Sequence, residues 1–369
     1  MRPCGVIGCN ERNAETCLGL SCLAVDERTE RVFVLNGDGR VSVLDAVTGV
    51  PRRTIASKPG TPVAEAVDVR NGRLFVASGS TVDQSGSVRL INTATGADVG
   101  TTTVSHAPTA VAVDGRTGRI FVLENQDPPA PGSLDVLNAA TGKILSTYSL
   151  SEPANALAID ERASRVLIGL SYGRRTASMV DVRDSATGAD LRTHAFEGYA
   201  NTAIVVDAMD ARVFFVTTPT GYDAEAGGGE VLMSIYDTRR GRVLRTLTLA
   251  RVGAHGNAIG AAAILDQNIS RVFITIQEGS VAKSGALVAP GRIVVLDARS
   301  GRIVRRLSGQ VGDTGLVADE QTNHLFICNR LSNTVSMFDA ATVGMDLTPR
   351  RAPASSAAPL PSARRHLGA

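Results

Sequence analysis

The side chains in this sequence best placed to hold something form a scattered polar set. His106, Asn155, Asn201, His255 and Asn257 stand at or just ahead of short runs rich in β-formers, and Asn125, Asn329 and Arg330 stand at the ends of others. Imidazole and carboxamide groups both donate and accept hydrogen bonds. Gathered at one opening, they would suit a small polar ligand or a cation. The competing role is structural: such groups also satisfy backbone amides and enclosed water.

Other motifs offer less. Cys4, Cys9, Cys17 and Cys22 read C-x4-C-x7-C-x4-C, looser than the paired cysteines usual at zinc. A Cys4–Cys9 or Cys17–Cys22 disulfide requires an oxidising compartment. Cys22 leads into a β-rich run and reads as core. Neither a P-loop nor an H-E-x-x-H helix occurs, haem attachment by C-x-x-C-H is absent, and Gly227-Gly228-Gly229 has no helix after it to cradle a phosphate. The sequence therefore assigns no catalytic residue, no metal ligand and no cofactor.

The chain carrying these residues has 369 of them, 43% hydrophobic and 20% charged, enough to bury a large core. Its 38 Lys+Arg against 36 Asp+Glu leave a net charge of +2, which gives nucleic acid or an anionic membrane little to attract. No apolar run reaches the ~18 residues of a membrane helix. Length alone suggests two or three domains of roughly 150 residues, but an internal repeat overrides that count.

An aspartate recurs at Asp26, Asp68, Asp114, Asp160, Asp207, Asp266 and Asp319, spaced by 42 to 59 residues. Five positions after each stands Arg31, Arg73, Arg119, Arg165, Arg212 or Arg271, with His324 in the last copy. Seven positions after each comes a phenylalanine, or Leu167 in the fourth copy, so six of the nine phenylalanines occupy one repeat position. Each copy has a second half ending in Asp45, Asn92, Asn138, Asp184, Asp237, Asp297 or Asp339, followed four residues on by glycine except at Val343.

These halves predict β-hairpins. The Asp and Asn side chains cap backbone N–H groups in the turns, and glycine takes the left-handed position. The arginine five residues on either pairs with a neighbouring blade or covers apolar surface with its stem. Runs such as Val32–Val34 are apolar on both faces, so both sheet faces must be covered. Four short strands per unit, for example Ala110–Val113, Arg119–Leu123, Leu134–Leu137 and Ile144–Tyr148, describe a propeller blade. The expected fold is all-β: a seven-bladed β-propeller of four-stranded antiparallel blades over residues 17–348. Residues 1–16 are an N-terminal segment, and 349–369, rich in Pro, Ala, Ser and Arg, a disordered tail. The last outer strand comes either from Met345–Leu347 or from residues 4–9, which would then close the ring.

Gly39-Arg40-Val41-Ser42-Val43-Leu44-Asp45 and Ser332-Asn333-Thr334-Val335-Ser336-Met337-Phe338-Asp339 carry a family resemblance. The repeat is similar to the YVTN (YncE-like) β-propeller family of bacterial and archaeal surface-layer and exported proteins, with Phe in place of the family's Tyr. The resemblance covers all seven copies. It implies a non-enzymatic binding or scaffold role outside the cytoplasm. The first 16 residues show no apolar core and no cleavage site of a secretory signal, so the compartment stays open.

Strand order in a propeller collects the second-to-third-strand loops and the between-blade loops on one face. Four of the former are expanded: Gly79–Gly86, Asn125–Gly132, Thr217–Glu230 and Gln277–Gly291. Long loops on a rigid frame carry specificity. Their charges, including Asp83, Glu124, Asp127, Asp223, Glu225, Glu230 and Glu278 against Lys283, would repel phosphate backbones. Arg52, Arg53, Arg239, Arg240, Arg242, Arg245, Arg299, Arg302, Arg305 and Arg306 read as charged outer edges that block sheet-to-sheet pairing. The function expected is a monomeric propeller presenting its loops to a protein partner or small polar ligand, with the eight polar residues named first at the channel mouth. The alternatives are a lactonase-type hydrolase or lyase at that mouth and a redox-scaffold subunit.

Overall fold

The computed structural model describes residues 23–341 apart from 80–84, 127–129, 171–176, 198–199, 219–228, 253–256, 280–290, 310–312 and 330–333, together with 350–351. It contains seven four-stranded antiparallel sheets, each with its strands in sequence order, and these make a seven-bladed β-propeller. The blades occupy residues 23–55, 61–104, 107–149, 154–197, 200–252, 257–308 and 313–351. In blade three the strands are Ala107–Asp114, Arg119–Asn125, Ser133–Asn138 and Ile144–Ser149, a few residues longer than the β-former runs alone mark out.

The repeat residues act at the turns. Each repeated aspartate sits directly across from its arginine, or from His324 in blade seven, at the end of the first hairpin. Its carboxylate accepts turn N–H groups; Asp114, for instance, takes those of Arg116 and Thr117, each at 3.0 Å. The residue just before the arginine is left-handed in all seven copies: Glu30, Gly72, Gly118, Ser164, Ala211, Ser270 and Asn323, with φ from 51° to 66°. Five are not glycine, so the aspartate cap holds a backbone shape that β-carbons disfavour.

The core lies between blades. Among the described residues there are seven apolar clusters, each drawn from two neighbouring blades. The six repeat phenylalanines are all fully buried in them. One cluster joins Leu23, Val32, Val34, Leu44 and Ala46 of blade one to Val317, Phe326 and Cys328 of blade seven, so the ring is closed.

Hydrogen bonds follow the same circle. Arg31 reaches Thr93 O at 2.7 Å, Arg119 reaches Ser185 O at 2.9 Å and Arg212 reaches Ala298 O at 2.5 Å, each on the following blade. His324 does the arginine's work at the seam, its Nδ1 lying 2.9 Å from Ala46 O of blade one. Glu320 N donates to Glu27 Oε1 at 2.9 Å across the same seam. The fourth strand of blade seven is Arg350–Arg351, paired with Met337 and Ser336, inside the stretch that the sequence reads as tail. Met345–Leu347 and residues 4–9 lie outside the described residues.

Candidate functional site at the channel mouth

First strands of successive blades are innermost, so the channel mouth is ringed by the residues that enter them and by the ends of the second strands. Blade three builds the most complete polar group there. His106 lies in the connection from blade two, and Glu124 near the end of the second strand, where the first strand bulges to accommodate the turn. Glu124 is fully buried. Its Oε2 accepts the His106 backbone N–H at 2.8 Å, while His106 Nδ1 stands 3.7 Å away. Asp135, on the third strand, is buried beside it and accepts Thr147 Oγ1 at 2.5 Å.

Two buried acids at one place cannot both ionise cheaply. Burial first, and then the hydrogen bond and charge of Asp135, push Glu124 up to about 8, so at neutral pH Glu124 holds a proton and shares it with Asp135. The group is a protonated Glu124 beside Asp135, beneath His106, whose side chain is one-third exposed. With Glu124 and Asp135 both buried, the pair neither touches a ligand nor passes it a proton directly; it anchors the His106 backbone.

Asn125 follows Glu124 and ties blade three to blade four. Its Nδ2 donates to Ala154 O at 2.9 Å, and its Oδ1 accepts Ala154 N at 3.0 Å. The same Nδ2 lies 3.5 Å from Asn155 Oδ1, so these two expected site residues do meet. Asn329 does not join them. It is 1% exposed and donates to Thr334 Oγ1 at 3.1 Å and Ser336 Oγ at 2.9 Å within its own blade. Asn201 and Asn257 lie in the first strands of blades five and six, and no side-chain description extends to them. His255 and Arg330 lie outside the described residues.

Two expectations about charge change. Glu124 is inside the blade, so it adds nothing to a loop surface. Glu230 is in the strand Gly229–Asp237 and pairs with Arg251 at 2.8 Å. Of the edge arginines, Arg239, Arg240 and Arg299 occupy third-to-fourth-strand turns, outside the fourth strands.

Sequence reasoning passed over Asp135, although a signal existed. Three residues after the repeat phenylalanine, blades one and seven carry Asn36 and Asn329; three before the turn Asx they carry Ser42 and Ser336. The amide–hydroxyl pair is bonded in both, at 3.0 and 2.9 Å. Blade three puts Glu124 and Asp135 at those positions. A sequence reading that finds no G-x-S-x-G is also wrong: Gly169-Leu170-Ser171-Tyr172-Gly173 fits it. The nucleophile elbow needs a strand-to-helix turn; here Arg165–Leu170 is followed in its sheet by the antiparallel strand Ala177–Asp184, and Ser171 lies outside the described residues.

No family model matches the chain, and no curated protein matches it. Among solved structures, a chain titled Kuenenia stuttgartiensis hydrazine synthase is similar in fold. Its TM-score is 0.70 at 16% identity, over 87% of this chain and 96% of that one. Since 1627 chains of solved structures match this fold, the fold by itself selects no activity.

Proposed function

We propose that this protein is a binding or scaffold propeller of the YVTN-like kind, presenting the mouth around His106, Asn125 and Asn155 and the expanded loops to a small polar ligand or protein partner. The observation that carries the reading is the substitution of the buried Glu124–Asp135 pair for the amide–hydroxyl pair of blades one and seven, directly under the partly exposed His106. That pair stiffens the mouth at one blade without offering a reactive group, which fits recognition better than turnover. Asn125 spends its amide on the Ala154 backbone, again as frame. A monomer and recognition without nucleic acid belong to the same proposal; an exported location is what the family resemblance alone suggests.

The test combines a thermal-shift screen of small polar compounds with assays of simple lactones, with and without divalent metal. The expected outcome is at least one stabilising compound whose effect His106→Ala removes while the melting temperature of the free protein stays put, and no lactone turnover. Metal-dependent hydrolysis abolished by His106→Ala would overturn the reading in favour of a mouth-sited hydrolase. The redox-scaffold alternative requires a stable complex with a cofactor-bearing protein.

A further inference from the structure

The face opposite the mouth carries the first-hairpin turns and the third-to-fourth-strand turns. Here the circle of arginines has a gap. Arg31, Arg119 and Arg212 donate to carbonyls of the next blade, and Arg73 and Arg271 donate within their own. Arg165 of blade four is the one repeat arginine whose side chain makes no hydrogen bond or ion pair among the described residues. Where its acceptor would be, a cleft of about 530 Å³ opens between blades four and five.

The walls of that cleft are cationic. Arg162, Arg165, Arg192, Arg239 and Arg240 line it, against one lining acid, Asp160. Asp160 is 5% exposed, and its Oδ1 is already accepting Ala163 N at 2.9 Å. Asp237 close by is engaged by Arg240 at 3.1 Å and by two backbone N–H groups of its turn. Under the cleft lies a tighter space walled by Leu167, Val182, Val213 and Phe215, with Tyr236 Oη 2.7 Å from His194 Nε2. Burial, and after it the Arg192 charge, depress the His194 pKa, so the floor adds no counter-anion.

Guanidinium groups facing one cavity repel each other unless an acceptor lies between them. Their planar forks match phosphate oxygens two at a time. The volume falls in the range of roughly 300–1,000 Å³ typical of small-molecule sites. We infer that the cleft between blades four and five is a binding site for a small phosphate-bearing anion, with Arg165 supplying the central fork. The site is independent of the channel mouth and stands whether or not the mouth binds anything.

The test uses the full chain and inorganic pyrophosphate, titrated by calorimetry at low and at physiological salt. Saturable single-site binding that weakens with salt is expected. Arg165→Gln and Arg192→Gln should each lower the affinity about ten-fold, the loss of one charge-assisted pair. Arg52→Gln, on the same face but paired with Asp45 in blade one, should leave it unchanged. Arg239→Gln, at an exposed turn position, covers the case in which either wall variant fails to fold, and it too should weaken binding. Absence of saturable pyrophosphate binding, or equal losses in Arg52→Gln and the cleft variants, would overturn the inference.

Discussion

At the scale of single residues, the buried acid pair makes the clearest statement. Glu124 holds its proton up to about 8, against an ordinary value of 4.5. Between those values the folded protein keeps a proton that the unfolded chain has released. Its contribution to stability is therefore full below pH 4.5 and is lost as pH rises through about 8. Glu27, Asp266 and Glu320 are also raised, chiefly by burial, and act in the same direction. Glu124→Gln removes one titrating group while keeping a donor toward Asp135. The variant's unfolding free energy should fall less steeply than the wild type's from pH 5 to 8, by an amount bounded at about 1.4 kcal/mol per pH unit, measured by chemical denaturation. Parallel pH profiles would show that Glu124 titrates normally.

At the scale of the hairpin, the turn glycines separate two effects. Gly118 and Gly188 share a left-handed backbone, φ 66° and 70°. A β-carbon on Gly118 meets nothing within 4 Å, whereas on Gly188 it would run into the ring of Tyr148 on the preceding blade. Gly118→Ala should cost about 1 kcal/mol for backbone strain alone. Gly188→Ala should cost about 1 kcal/mol more, because Tyr148 must swing away from the Thr187 carbonyl it bonds. Chemical denaturation in a Tyr148→Ala background should bring the two costs level; a persisting gap would point elsewhere. The seam residue gives a companion case. His324→Arg should leave stability nearly unchanged and His324→Ala lower it by about 1 kcal/mol, since only the alanine leaves the Ala46 carbonyl unpaired.

Much of this was legible beforehand, because repeats expose their own rules. The aspartates, their partner arginines, the phenylalanines and the turn glycines could be placed on hairpins and in the core by position alone. Asn329 misled because its side chain looks free in sequence while Thr334 and Ser336 on the adjacent strand satisfy it. Asp135 was hidden because a charged residue in a β-run reads as solvent-facing, and only its burial against blade two's side of the sheet makes it notable. The arginine gap at Arg165 had a partial sequence signal: the turn it faces reads Thr238-Arg239-Arg240-Gly241, whereas no other copy puts two arginines there, but that the turn opens a cleft appears only in the structure.

At the scale of the whole molecule, no strand is exchanged across the seam among the described residues. Blade one takes all four strands from 23–55, and blade seven takes all four from 313–351. Ring closure among the described residues thus rests on packing and a few hydrogen bonds. Removing residues 313–369 should uncover Leu23, Val32, Val34 and Leu44 on one side and Phe273, Ile293 and Val295 on the other. The truncated chain should be recovered mainly as aggregate, with the β-sheet circular dichroism of any soluble fraction melting well below that of the full chain. A soluble six-blade ring of equal stability would contradict closure by packing.

That seam also sets a timetable for synthesis. Blade one emerges from the ribosome long before the partner that covers it, for Leu23 waits on Phe326 and Cys328 near the opposite end. At about 5–20 residues per second, the wait is roughly 15–60 s. Through that interval a greasy β-surface stands open to other nascent chains, so the seam should make this protein's yield in cells sensitive to translation speed and to holding chaperones.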